Sequence, residues 1–388
     1  MEVCFGLVDF ENAFDTVEHA PLWAALKELG VTEAYVDMLK VLYSSQTATV
    51  AHGANSRSFS LERGVKQGDP MSPLLFIAVM EVIFRRLKSR WNKLNHRRSG
   101  QYYGIVVDNK TSPLTNLRFA DDVLLFAASP SDAAKMISDL DQEASKFGLK
   151  LHLGKTVLLT NRVANRPSVV KSRGLSLKVV ASDESERYLG RKLSTTEYHA
   201  AEFANRLASA WAAFFKSKEV LCNRSVPLRD RLKLFECSVT PCVLYACGTW
   251  TMTSASERKL TTTRRRLLRW MVGVPRWPAE SWPDFIQRAT HRSEELASTH
   301  GAVDWLVLQR TQKWRLAGKA SQSTDGRWTK RLLTWKPWFR FLPHRVVGHP
   351  CKRWEDDLTK LAGDGWPEAA QDKDLWAMAG DAYINGIS

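Results

Sequence analysis

The stretch Leu117-Arg118-Phe119-Ala120-Asp121-Asp122-Val123-Leu124-Leu125-Phe126-Ala127 sets two adjacent carboxylates between two short apolar runs. Leu117 to Ala120 and Val123 to Ala127 have the length and composition of strands. A two-residue turn between them needs positive φ, which Asp tolerates, so the segment predicts a hairpin with Asp121 and Asp122 at its tip. Upstream, Val3-Cys4-Phe5-Gly6-Leu7-Val8 reads as another buried strand, and Asp9 ends it. A sheet holding these strands side by side would bring three carboxylates to one edge. Acidic residues at strand ends and turns are often only solvated. Two or three held together, however, repel strongly unless a divalent cation neutralises them, and hard oxygen ligands select Mg²⁺. Two such ions about 3.5–4 Å apart activate an attacking hydroxyl and stabilise a leaving oxygen in phosphoryl transfer.

Working outward, Ala20 to Leu29 shows helical spacing, with Gly30 as its stop. Ser72-Pro73 opens a second helix that runs to about Leu87 on a Leu75, Val79, Ile83, Leu87 ridge. The basic, polar stretch Lys88 to Gly100 is expected to be a loop. Ala133 to Phe147 is helical and closes at Gly148. Strand and helix thus alternate to about residue 160. From about residue 197 the patterns are mainly helical: Phe203 to Phe214, Leu228 to Cys237 and Glu257 to Val272. Beyond Pro275 the chain is rich in Trp, Arg and Pro, as in Trp335-Lys336-Pro337-Trp338, with short helical patterns and no sustained period.

A length of 388 residues predicts two or three domains with cores of their own. A net charge of +15 favours a polyanionic partner, nucleic acid being the commonest, although many basic proteins bind nothing specific. The six cysteines lack CxxC or knuckle spacing, which fits a reducing, intracellular setting. The longest apolar run, Leu74 to Phe84, contains Glu81 and is too short to span a bilayer. No membrane association is expected.

Five segments resemble the motifs of non-LTR, LINE-type reverse transcriptases, in the family's order. Val8-Asp9-Phe10-Glu11-Asn12-Ala13-Phe14-Asp15-Thr16-Val17-Glu18-His19 resembles motif A, and Arg63-Gly64-Val65-Lys66-Gln67-Gly68-Asp69-Pro70-Met71-Ser72-Pro73 resembles motif B. Phe119-Ala120-Asp121-Asp122 is similar to motif C, Gly148-Leu149-Lys150-Leu151 with Lys155-Thr156 to motif D, and Tyr188-Leu189-Gly190 to the primer-grip motif E. The resemblance implies an α+β right-hand palm over residues 1–195, an antiparallel sheet with packed helices. A mainly helical thumb over 196–275 and a Trp/Arg-rich region of unassigned role over 276–388 would follow. It implies Asp9 and Asp121 as ligands of two Mg²⁺ ions, with Mn²⁺ as a substitute, Phe10 lending its backbone carbonyl and Asp122 completing the acidic site. Phe14 matches a steric gate against the ribose 2′-OH, or is simply a core ring. Gln67 and Gly68 match residues that contact nucleotide and template, and also form the loop into the Ser72-Pro73 helix. Lys155 matches a lysine that neutralises triphosphate charge and serves as a general acid; a solvated lysine is the plain alternative. Where the family usually has Asn before this lysine, the chain has His152. Viral RNA polymerases generally carry Gly before the paired aspartates, where this chain has Ala120.

Arg264, Arg265, Arg266 and Arg269 fall on about two turns of helix, and Tyr188, Leu189 and Gly190 precede them as the primer grip. The arginines read as a thumb surface on the template–primer duplex or as a solvated face. His349-Pro350-Cys351-Lys352-Arg353-Trp354-Glu355-Asp356-Asp357-Leu358 is similar to an element found after the thumb in LINE-type proteins. Its paired aspartates read best as an acidic helix start, and its Trp and Arg as base-stacking groups or a small core. The family's fingers and endonuclease lie before motif A, so the expectation is an N-terminally truncated RNA-directed DNA polymerase taking an RNA template, a DNA primer or target and dNTPs. Its rival is an inactive nucleic-acid-binding remnant. By the same resemblance, synthesis of the protein is cytoplasmic and target-primed polymerisation nuclear.

Overall fold

The run at the chain's start forms β1 (Cys4–Val8), followed by α1 (Ala13–Thr16), α2 (His19–Glu28), α3 (Glu33–Ser44), β2 (Thr47–His52) and β3 (Asn55–Ser60). Then come α4 (Ser72–Arg97), β4 (Asn116–Phe119), β5 (Asp122–Ala127), α5 (Pro130–Ala144) and β6 (Val157–Thr160). β7 (Val169–Ser172), β8 (Leu175–Val179), β9 (Glu186–Tyr188) and β10 (Arg191–Leu193) complete the first of two units, Met1–Thr196 and Glu197–Ser388. The computed structural model describes residues 2–52, 55–97, 103–107, 112–162, 166–181, 183–195, 199–333, 335 and 352–385.

Six strands form one sheet in the order β4-β5-β1-β6-β8-β7, antiparallel except for β6 beside β8. β1 lies between β5 and β6 because it is apolar on both faces, which only an interior strand can bury. α5 packs across β1, β5 and β6. Ser129 caps it, accepting the Asp132 N–H at 3.1 Å, and Met136, Ile137, Leu140 and Ala144 are all fully buried.

Two expectations are corrected here. The stretch from Lys88 onward is not a loop, because α4 continues to Arg97. Its ridge extends through Trp91 and Asn95, both buried. Trp91 Nε1 donates to Asp139 Oδ2 at 3.0 Å, and Asn95 exchanges two hydrogen bonds with the Tyr103 backbone. The positive φ at the β4–β5 turn falls on Ala120 (φ 53), not on an aspartate, because Phe119 pairs with Asp122 and leaves Ala120 first in the turn.

The second unit comprises α6 (Ala200–Lys216), α7 (Lys218–Leu221), α8 (Leu228–Ser238), α9 (Thr240–Leu244), α10 (Ser254–Val272) and α11 (Trp282–Thr299). It continues with α12 (Trp305–Ser321), α13 (Trp328–Leu333), α14 (Asp356–Ala362), α15 (Trp366–Ala369) and α16 (Lys373–Asn385). Long, regular helices thus follow Pro275, where no sustained period is legible. One core joins Phe214, Phe235, Leu267 and Met271 to Ala297 and Trp305, so it runs across residue 275 without a break. A smaller core centres on Trp314 stacked on Trp376 at 3.7 Å, each indole donating to the other's backbone carbonyl. Trp354 packs against that core and donates to the Gly248 carbonyl at 2.8 Å. Lys336 to Trp338 and His349 to Cys351 lie outside the described residues. No helix of the described residues is long and apolar enough to cross a membrane.

Candidate active site

The register of β1 on β5 builds the site. Val8 faces Val123 as the last pair, so Asp9 and Asp122 leave the two strands at one sheet edge, with Asp121 beside them in the turn. Burial, then the Asp121 and Asp9 carboxylates, raise the Asp122 pKa. Burial and then Asp122 push the Tyr188 hydroxyl up to about 12, which ties the β9–β10 hairpin to the acidic group. The tight turn of that hairpin is made by Leu189 and Gly190, both at positive φ.

The chain leaving β1 is fastened to residues 147–156. The His152 N–H donates to the Asp9 carbonyl at 2.8 Å, Glu11 N–H to Lys150 at 2.9 Å and Glu18 N–H to Phe147 at 3.0 Å. These bonds flank the Phe10–Leu151 bridge and use neither the N–H nor the carbonyl of Phe10, whose ring is buried. The buried Thr156 hydroxyl accepts the Asp9 N–H at 3.4 Å. In the turn between, Lys155 brings Nζ to 3.2 Å from Asp9 Oδ2. That oxygen is shielded from solvent and accepts no hydrogen bond; Lys155 faces it at ion-pair distance without hydrogen-bond geometry. A shielded carboxylate oxygen without a hydrogen bond, on the sheet edge that carries two more carboxylates, is of the oxygen type that a hard divalent cation selects. Among the described residues no three His, Cys, Asp or Glu side chains converge into a metal-binding group, and the Asp9 carboxylate is turned toward Lys155.

Residues 63–68 dock on residues 14–19. The Gly64 N–H donates to Val17 and the Val65 N–H to Phe14, each at 2.7 Å, and His19 Nε2 lies 2.9 Å from the Gly64 carbonyl. Gln67 is exposed and its amide donates to the Asp15 carboxylate at 3.3 and 3.4 Å. Gly68 sits at φ +88 in open space. The half-buried Phe14 stacks on Phe76 with centroids 4.7 Å apart, so packing against the core fixes its ring. His152 contributes through its backbone, while its Nδ1 is buried without a partner. Asp15, Gly148 and Thr156 lie in the segments matched to motifs A and D without a role of their own there, and the pairing of distant segments shows what each touches.

The reverse transcriptase (RNA-dependent DNA polymerase) family matches residues 2–193. A transposon-derived protein of Caenorhabditis elegans is 33% identical over 273 residues, covering 68% of this chain and 94% of that protein. The Pol polyprotein of retrotransposable element R2 from Popillia japonica is 25% identical over 282 residues, 69% of this chain and 37% of the polyprotein. The chain belongs to the reverse transcriptase family, in its non-LTR, LINE-type branch. This reverse transcriptase chain spans nearly all of the worm relative but well under two thirds of the element polyproteins, 17% in the case of R2DM from Drosophila melanogaster. Apo telomerase from Candida Tropicalis aligns over 80% of this chain and 46% of its own at 13% identity and TM-score 0.39.

In the second unit the four arginines of α10 do not share one exposed face. Arg264 lies four residues after Leu260, on the ridge with Leu267, Leu268 and Met271, and is buried. It donates to Asp304 Oδ2 at 3.3 Å and to the Val303 carbonyl at 3.2 Å. Arg265 pairs with Glu294 at 2.8 Å and Arg269 donates to the Thr290 hydroxyl at 2.7 Å, whereas Arg266 lies over the Trp211 and Trp270 rings. The paired aspartates of α14 divide their work. Asp356 accepts the Arg353 N–H at 2.6 Å as a helix start should, while Asp357 accepts from the buried Lys313 at 2.6 and 2.8 Å and from the Tyr383 hydroxyl at 2.9 Å.

Proposed function

We propose that this chain is an RNA-directed DNA polymerase in which a primer 3′-OH attacks the α-phosphate of a dNTP and pyrophosphate departs. The observation that carries this is the register that sets Asp9, Asp121 and Asp122 at one sheet edge, with an Asp9 oxygen shielded from water and lacking any hydrogen bond. Asp9 and Asp121, with the Phe10 carbonyl, would hold two Mg²⁺ ions, which when bound polarise phosphate oxygens and lower the pKa of an attacking hydroxyl. Lys155, exposed and beside Asp9, is free to swing toward a triphosphate and to give its proton to the leaving pyrophosphate. Gln67, held toward Asp15, and the open backbone at Gly68 suit close approach of a nucleotide or template. Phe14, braced on Phe76, suits a rigid gate against the 2′-OH, and Tyr188 to Gly190 suit the primer end. In this reading residues 1–195 are the palm, 196–275 the thumb, and 276–388 a region whose role is left unassigned.

Primer extension on an RNA template with dNTPs and Mg²⁺ or Mn²⁺ tests the proposal. Incorporation by the wild type and its loss in Asp121→Ala are expected. Absence of incorporation while duplex is still bound at low salt sinks the enzyme reading and leaves a binding remnant; activity persisting in Asp121→Ala sinks the metal-ligand assignment. Phe14→Val is expected to raise ribonucleotide use relative to dNTP, and an unchanged ratio rejects the gate.

A further inference from the structure

The face of α6 and α10 that carries Arg266 is made of aromatic rings. Trp211 stacks on Phe215 at 5.9 Å, and Trp270 meets both edge-on, at 5.6 and 5.8 Å. Arg266 lies over Trp211 and Trp270 at 5.2 and 5.6 Å, and Lys218 over Phe215 at 5.9 Å. Trp211 is half-buried against the core, but the other two rings reach solvent: Phe215 is 50% exposed and Trp270 39%. Scattered exposed rings are ordinary, but a contiguous aromatic patch studded with cations marks a recognition surface. Charge decides its partner. Glu219 is exposed nearby, yet among the described residues no salt bridge joins a carboxylate to Arg266, Lys216 or Lys218, while Arg265 is neutralised by Glu294. A duplex hides the faces of its bases and offers phosphates and groove edges, which need cations and hydrogen-bonding groups but no stacking rings. An unpaired strand offers both phosphates and π-faces.

We propose that Trp211, Phe215 and Trp270, with Arg266 and Lys218, form a stacking platform for unpaired bases of a single-stranded nucleic acid. The proposal deepens the polymerase reading and rests on it only for the identity of the strand, a template or its displaced partner. Binding of labelled oligo-uridine and of a duplex of equal length to the full chain, followed by fluorescence anisotropy, tests it. Phe215→Ala and Trp270→Ala are each expected to weaken single-strand binding roughly five- to hundredfold, with duplex binding changed less than about twofold and Phe215→Trp retaining affinity. Arg266→Gln and Lys218→Gln are each expected to flatten the single-strand salt dependence by about 0.7 in log–log slope. Melting curves identify any variant that fails to fold, and the exposed Lys218→Gln then decides. Wild-type affinity and salt slope in folded variants, or equal losses on both nucleic acids, overturn the platform. Nucleotide incorporation is scored separately: a chain that polymerises nothing yet binds oligo-uridine through Phe215 keeps the platform, and an active polymerase whose oligo-uridine binding is indifferent to Phe215→Ala loses it.

Discussion

Gly148 is where the acidic site is most exposed to a single methyl group. It stands at φ +81, and a Cβ there would lie 2.5 Å from the Thr16 carbonyl oxygen and 2.8 Å from Glu18 Cγ. Glu18 Cγ belongs to a flexible side chain and can move, but the Thr16 oxygen is backbone, held two residues on by the hydrogen bond from Glu18 N–H to the Phe147 carbonyl. Gly148→Ala should therefore cost roughly 1–2 kcal/mol for a left-handed non-glycine residue and roughly 1–3 kcal/mol more for the clash. Gly30→Ala supplies the control, since Gly30 has φ +90 with nothing within 4 Å of its added Cβ. It should cost only the first amount. Hydrogen exchange of peptides from β1 and from residues 148–156, converted to local opening free energies, reads both variants in the full chain. If Gly148→Ala destabilises these peptides no more than Gly30→Ala destabilises α2, the close approach of the two segments is not what positions Asp9 and Lys155.

Mg²⁺ or Mn²⁺ at about 100 times its dissociation constant should stabilise the folded wild type by roughly 2.7 kcal/mol and Asp9→Asn far less; equal shifts in melting temperature would remove the ions from Asp9. In chelator, Asp122→Asn should melt above the wild type at neutral pH. The folded pKa of Asp122 is raised, so wild-type stability is full below the ordinary carboxylate range and is lost as pH rises through the folded pKa. The two proteins should converge near pH 3, and a constant gap across that range contradicts the shift. Asp357→Ala should cost roughly 3–5 kcal/mol by stranding Lys313, which is 1% exposed. The double variant Lys313→Met, Asp357→Leu should recover most of that in urea unfolding, and a purely additive loss would show that the pair does not interact.

The palm was legible because its signals are local. The apolar runs of β1 and β5, the Gly148 stop and the carboxylates at strand ends each need only a few residues of context. What escaped depends on partners far along the chain. Asn95 looks like a loop residue until Tyr103 takes both its amide atoms, and Trp91 needs Asp139 to continue α4. α3 buries Val36, Leu39 and Tyr43 but exposes Tyr35, Met38, Val41 and Leu42, so its apolar residues mark no single face. At the hairpin tip, residue type alone pointed to aspartate for positive φ, but register put Ala120 there. The site residues illustrate the same division. Asp9, Asp121 and Asp122 are named by their strands, whereas Thr156 and Asp15 acquire their places only once residues 148–156 and 63–68 fold back on the first strand's exit.

Charge was the least transferable signal in the helical unit. The run Arg264 to Arg269 counts as four cations, yet the helical period sends Arg264 into the core, and Glu294 and Thr290 occupy Arg265 and Arg269. Lys313 is likewise subtracted from the surface by Asp357. The number of arginines along α10 therefore overstates the cations that a polyanion meets there, because buried and paired cations contribute little outside the fold. On α10 and at the end of α6, two cations meet rings instead of acids. Among the described residues no salt bridge joins Arg266 or Lys218 to an acid, and the π-faces beside them attract a cation without neutralising it. Affinity for a strand should consequently follow these two residues and their rings more closely than the number of arginines along α10.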